Sequence, residues 1–261
     1  MARANILGVA VDAVDLDAVL ARIDGWLSAP GSLRQIVTVN PEFIVEARKN
    51  SIFADVLAQA DLATADGIGV VLAARMLGET IGPRVTGVAL TQGIATLRHP
   101  AARIFLLGAG PGIAAEAARQ LAERFPGVTV VGTHSGSPDD DGFAEIERLI
   151  ARAQPTILLV AFGHPRQDLW IAQHRERLAQ HGILVAAGIG GTLDFLSGHV
   201  RRAPSWVRRI GLEWLYRLIS QPWRWRRQLA LPVFVALVAR ERLLGALGRT
   251  GNGQQAGRRS Q

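Results

Sequence analysis

"RIFLLGAGPGIAAEAARQLAERFPGVTVVG", residues 103–132, decides the fold. A short apolar run enters a turn carrying Gly108, Gly110 and Gly112, a segment with apolar residues at helical spacing follows, and a second β-branched run closes the unit. Strand, glycine turn, helix and strand in this order make a βαβ unit, which demands parallel pairing with a helix laid over the sheet. Glycines at such a turn let the backbone approach a phosphate, and the helix N-terminus offers N–H groups and the positive end of its dipole. The dinucleotide fingerprint is incomplete. Ile113 stands at the third glycine position, and the next strand, "VTVVGTHSG", ends without the acid that would hold a ribose. A nicotinamide-dependent oxidoreductase is therefore disfavoured, while nucleotide binding and a merely tight turn both stay open.

Outward from this unit the alternation continues. Strands are expected near residues 5–10, 34–39, 61–65, 103–107, 128–132, 156–161 and 183–187. Helices are expected over "DLDAVLARIDGWL", "PEFIVEARKN", "GIGVVLAARML", "VALTQGIATLR", "GIAAEAARQLAERF", "DGFAEIERLIARA" and "PRQDLWIAQHRERLAQ". Apolar runs ending in Gly or small polar residues between helix-period segments describe an α/β chain with a Rossmann-like, mainly parallel sheet flanked by helices. Residues 1–199 form this core, with the nucleotide-binding half at about 101–190. Residues 200–247 form an Arg/Trp-rich helical appendage, and the Gly/Gln/Arg-rich 248–261 is expected to be a disordered tail.

Composition supports one such core: 261 residues, 49% apolar, and no cysteine, which excludes a disulfide scaffold and thiolate chemistry. A reducing setting fits. The net charge of +7 is unevenly placed, since residues 200–261 hold 13 Arg and 2 acids, leaving the core acidic. The N-terminal "MARANILGVAVDAVDLDAV" carries acids where a secretion signal needs an apolar stretch, so secretion is not expected. The apolar run 229–239, broken by Pro232, is far shorter than the roughly 20 residues that span a bilayer.

Several motifs place polar groups where chemistry collects, at the carboxyl ends of strands. "IVTVNPEFIVEA" ends a strand in Thr38 and Asn40 before Pro41 opens a helix; Asn40 reads as an N-cap and Thr38 has the better claim on a ligand. In "LATADGIGVV", Asp66 is either an N-cap or a general base standing at the sheet edge. Arg84 in "PRVTG" is either a phosphate fork or a solvated arginine. Gln167 in "GHPRQDLWI" suits hydrogen bonding to a sugar or base edge, whereas His164 and His174 read as helix-surface histidines. The acidic run Asp139–Asp141 fits helix capping better than a metal site, so no metal is expected.

The tail interleaves Trp206, Trp214, Trp223 and Trp225 with Arg208, Arg209, Arg217, Arg224, Arg226 and Arg227. A monotopic membrane segment, a single-stranded nucleic-acid surface and an ordinary helix with a basic face all fit this composition. The run "LALPVFVALVA" favours the membrane, because a nucleic acid has no use for it.

The blocks "TVNPEFIVEA", "ADGIGVV", "RVTG", "FLLGAGPG", "GHPRQDLWI", "GIGGTLDFLSG" and "RRAPSWVRRIGLEWLYRLISQPWRWRRQ", in this order, resemble the WecG/TagA/CpsF glycosyltransferases (family 26). That resemblance implies inverting, metal-independent transfer of one sugar, N-acetylmannosamine-like or a hexose, from a nucleotide sugar that is typically UDP-linked. The acceptor it implies is a polyprenyl-diphosphate-linked saccharide at the cytoplasmic membrane face, in bacterial cell-surface polysaccharide synthesis, and the enzymes form oligomers. It makes Asp66 the base, Thr38, Gln167 and Arg84 active-site groups, and Arg217, Arg224 and Arg227 contacts to the lipid-linked acceptor, with Trp223 and Trp225 beside them at the anionic membrane surface. Two positions depart from the family pattern. Asp168 stands where Glu is usual, and Ala89 where many members carry an acid, which bears on the sugar recognised. The competing class is a peripheral membrane scaffold that binds a nucleotide sugar without turning it over.

Overall fold

The structure is a computed structural model describing residues 2–29, 31–204, 206–207, 212–220, 222 and 225–256, without the side chains of residues 140, 141, 217, 226 and 245–256. It opens with an antiparallel hairpin, β1 (Arg3–Ile6) and β2 (Val9–Asp12), instead of the single strand expected at 5–10. Leu7 and Gly8 both take positive φ, and the Asn5 side-chain oxygen accepts from the Gly8 N–H at 2.7 Å, so the apolar run folds back on itself. Asp12, buried on β2, accepts from the Ala63 N–H at 2.8 Å and pairs with Arg3 at 2.9 Å.

Six strands build the parallel sheet: β3 (Arg34–Val39), β4 (Leu62–Ala65), β5 (Arg103–Gly108), β6 (Thr129–His134), β7 (Ile157–Ala161) and β8 (Val185–Gly188), in the order β4-β3-β8-β7-β5-β6. The chain moves outward from β3 to β4 on one side and from β5 to β6 on the other; β7 and β8 then fill the middle. Successive residues serve opposite faces, with Ile104 and Leu106 of β5 in one apolar core and Phe105 and Leu107 in another. Both faces are covered, which is why these strands read as continuous apolar runs.

On one face lie α1 (Leu16–Ser28), α5 (Gly87–Thr96), α6 (Ile113–Arg124) and α10 (Thr192–Leu196). Asp15 starts α1 by accepting from the Ala18 N–H, and Val19, Ile23 and Leu27 at four-residue spacing fill the core. On the other face α2 (Pro41–Ala47), α3 (Ser51–Gln59) and α4 (Ile68–Leu77) cover β3 and β4, while α7 (Asp140–Ala153), α8 (Arg166–Gln173) and α9 (Arg175–Gln180) cover β5 and β7. The sequence reading runs α2 on to residue 50 and passes over α3; in the structure Asn50 caps a new helix, accepting from the Phe53 N–H at 3.0 Å. It also joins α8 and α9, which the structure separates at His174.

The appendage contributes α11 (Glu213–Ser220), α12 (Trp225–Gln228) and α13 (Ala230–Ala256). Pro232 lies in the first turn of α13, where its missing N–H costs no helical bond. Phe234 and Val238 bury α13 against α2 and α4, so the appendage docks on the core. The helix enters the stretch read as a tail and reaches Ala256; residues 257–261 lie outside the described residues. Among the described residues no helix is long and apolar enough to cross a membrane.

Candidate active site

A cavity of about 390 Å³ opens where β3, β4, β7 and β8 end, roofed by the appendage helices. Thr38, Asn40, Asp66, Arg84, Gln167 and Arg227 all line it. Ile68 and Leu72 of α4, Trp214 of α11, and Leu231 and Val235 of α13 line it as well.

Each polar residue is held by its local structure. Thr38, buried at the end of β3, donates its hydroxyl to the Gly188 carbonyl at 3.2 Å, tying β3 to β8. Asn40 is the cap expected of it, accepting from the Phe43 N–H at 3.2 Å. Asp66 directly precedes Gly67, the N-cap residue of α4, and lines the cavity at the end of β4. The Asp66 N–H donates to the Val39 carbonyl at 2.7 Å, which continues the β3–β4 ladder into the site. The "RVTG" loop is pinned by the Val85 N–H, which donates to the Ala65 carbonyl at 2.8 Å, and Thr86 caps α5, so Arg84 leaves a fixed loop beside Asp66.

Gln167 is buried, with its side-chain oxygen accepting from the Gly190 N–H at 2.9 Å; that oxygen is spent on holding the loop after β8. Next to it Asp168 is fully buried, and burial pushes its carboxyl up to about 7 against the opposing effect of the Gln167 amide. A Cβ on Gly188 would lie 2.4 Å from Asp168 Oδ1 and 2.5 Å from Gln167 Nε2, so only glycine admits this pair beneath the cavity floor.

The two histidines read as surface residues are interior. His174 is buried with its ring stacked on Phe143 at 3.8 Å, and His164 lines the cavity with its ring stacked on Phe43 at 4.6 Å. Burial, aided by the positive Arg227, lowers His164 to about 4 and keeps it neutral. Alternating apolar and aromatic neighbours from α2, α3 and α7 converge on these rings only through the fold, so no local signal marks them.

The Gly108–Gly112 turn does not line the cavity. Gly108 is required for packing, since its φ is 103° and a Cβ would lie 2.8 Å from the Ala161 carbonyl carbon on β7. Gly112 is the N-cap of α6, and Gly110 lies in the turn between them. Of the tail residues, Arg227 reaches the cavity and pairs with Glu42 at 2.9 Å, while Trp225 is about half exposed and not in the lining. The side chain of Arg217, and Trp223 and Arg224 altogether, lie outside the described residues. Asp139 occupies the N-cap position of α7 and accepts from the Ser137 hydroxyl.

Glu42, Arg202 and Glu213 also line the cavity and were not picked out in the sequence. Glu42 follows Asn40 and Pro41 and reads as a first-turn acid; Arg202 and Glu213, paired at 3.2 Å, meet across a loop and leave no pattern.

A crevice at the carboxyl edge of a parallel sheet, with a carboxylate at one strand end and arginines around it, defines a doubly wound α/β enzyme. The chain belongs to the WecG/TagA/CpsF family of glycosyl transferases, whose profile matches residues 4–247. It is 38% identical over 204 residues, 78% of this chain and 77% of the relative, to an N-acetylglucosaminyldiphosphoundecaprenol N-acetyl-beta-D-mannosaminyltransferase of Bacillus spizizenii strain W23. A protein of the same description from Bacillus subtilis strain 168 is 35% identical over 209 residues, 79% of each chain. One from Staphylococcus aureus strain MW2 is 29% identical over 243 residues, 92% of this chain and 93% of the relative. The protein is a glycosyltransferase, and its fold is the one expected.

Proposed function

We propose that the protein transfers an N-acetylmannosaminyl group from a UDP-linked donor to N-acetylglucosamine carried on polyprenyl diphosphate, with inversion. The observation carrying this reading is Asp66: a carboxylate at a strand end that lines the cavity together with Thr38, Arg84 and Gln167. The acceptor hydroxyl gives its proton to Asp66 as its oxygen attacks the anomeric carbon. The bond from that carbon to the diphosphate breaks, and the electron pair leaves with UDP from the opposite face. The relatives' descriptions name the same group, acceptor and β-linkage.

Charge on the departing diphosphate is met by arginine. Arg84, Arg202 and Arg227 share the cavity. The Arg227–Glu42 and Arg202–Glu213 pairs are partly exposed, and such pairs are worth about 0–1 kcal/mol, so a phosphate oxygen can displace the carboxylate at little cost. This arginine set does the work a divalent metal does elsewhere, so turnover should need none. The acceptor sits in a membrane, and the basic appendage with its exposed Trp206, Trp225 and Leu229 suits peripheral binding to an anionic cytoplasmic surface. Self-association is part of the same reading.

The test is nucleoside diphosphate release from a panel of UDP- and GDP-sugars, with lipid-linked N-acetylglucosamine in anionic liposomes and EDTA present. Acceptor-dependent release from UDP-N-acetylmannosamine is expected. Donor binding without release from any sugar would instead make the protein a binding scaffold.

A further inference from the structure

The cavity is lined by two unlike sets of side chains, and a sugar with a diphosphate accounts for one of them. Thr38, Asp66, Arg84 and Arg227 suit hydroxyls and phosphates, whereas Ile68, Leu72, Leu231 and Val235 offer only hydrocarbon. Ile68, Leu72 and Met76 recur every four residues on α4 and share one face. Leu231 and Val235 have the same spacing on α13, along the flank of the face that sends Phe234 and Val238 into the core. Gly69 lets the elements converge, since a Cβ there would lie 3.1 Å from Pro41 and 4.0 Å from Phe234.

These apolar residues continue from the cavity to the surface. Leu72 is 47% exposed, Met76 43% and Val235 59%, although Leu72 and Val235 also line the cavity beside Asp66. A lane of this kind costs free energy in water unless something apolar covers it. A nucleotide-sugar donor has no hydrocarbon segment to place there. The acceptor has one, attached directly to its diphosphate.

Resting on the transferase reading above, we infer that the lane between α4 and α13, lined by Ile68, Leu72, Leu231 and Val235 and leading past Met76, binds the first isoprene units of the acceptor's polyprenyl chain. The lipid is then held by its hydrocarbon at the protein itself, in addition to being concentrated by the membrane. Chain length becomes a recognition element, and the direction in which the lipid leaves the site is set by the two helices.

Water-soluble acceptors separate this from membrane partitioning. N-acetylglucosamine diphosphate esterified to methyl, dimethylallyl or farnesyl is assayed without vesicles or detergent, reading UDP release. Burying one methylene favours binding about fourfold, so if the lane buries the equivalent of about three to four methylenes of the chain, kcat/KM should rise on the order of 100-fold from methyl to farnesyl. The double variant Leu72→Ser, Val235→Ser should cut that ratio to below about tenfold, while Leu72→Met should keep it. A wild-type protein indifferent to chain length, or a double variant with an intact ratio, overturns the lane. If the double variant loses its thermal transition, the wild-type series alone decides. Silence with every soluble acceptor and also with lipid-linked acceptor in liposomes is a failure of the transferase reading, and it removes the lane's occupant with it.

Discussion

Replacing Asp66 by Asn removes one charge and one proton acceptor while keeping the side chain's shape. If Asp66 takes the acceptor's proton, turnover should fall by about 10²–10⁴-fold, the range general-base help supplies. This corresponds to about 2.7–5.5 kcal/mol of barrier. Stability should hardly change. The N-cap position of α4 belongs to Gly67, the Asn amide keeps an oxygen that can accept where the Asp66 carboxylate does, and the Asp66 N–H keeps its bond to the Val39 carbonyl. Asn40→Ala is the internal reference, because it does remove a cap and should lower Tm by about 2–4 °C. The assay pairs steady-state UDP release with donor binding by calorimetry and a thermal melt on each variant. Asp66→Asn retaining more than about one tenth of wild-type turnover, or melting as low as Asn40→Ala, would refute the assignment and make Asp66 a structural residue.

Four further outcomes follow from the geometry. Asp168 keeps its proton in the folded state up to about pH 7 while an unfolded carboxyl loses it near pH 4, so it should make the protein less stable as pH rises through that window and flat above it. His164, lowered to about 4, acts oppositely, with stability lost as pH falls below about 6.5; urea midpoints from pH 4 to 8 should therefore show Asp168→Asn removing the first slope and sparing the second. Gly188→Ala should cost about 1–3 kcal/mol by overpacking against Asp168 and Gln167, measured by denaturant unfolding, with turnover lost as Gln167 releases the Gly190 loop. Turnover should survive EDTA, and an absolute need for added Mg²⁺ or Mn²⁺ would contradict the arginine account of the leaving group. Sedimentation with anionic liposomes should weaken steeply between low and high salt, since each basic residue near the surface contributes about 1 kcal/mol.

Much of the sheet was legible because β5 and β7 are buried on both faces and so spell themselves as apolar runs ending near a glycine, Gly108 and Gly163. The hairpin was not, because the pattern of residues 5–10 is equally that of one strand, and only the left-handed Leu7 and Gly8 reverse it. At the site, local chemistry revealed Thr38, Asn40, Asp66, Arg84 and Gln167, each beside a strand end or helix start. It misjudged what needs distant partners. The glycines at 108, 110 and 112 read as either a phosphate turn or a tight turn, and the neighbouring strand's carbonyl adds a packing need for Gly108 that no local pattern shows. His164 and Arg227, more than 60 residues apart, meet only when the appendage folds back over α2.

The N-terminal hairpin has a practical consequence. β4 ends the sheet on its side, and such a strand presents unpaired amides that invite another chain to add on. Asp12 occupies one of those amides through the Ala63 N–H, and β2 lies against β4. A version of the protein trimmed to begin at residue 14 for crystallisation or expression would uncover that edge and should associate into insoluble aggregates, although every residue of the cavity would still be present.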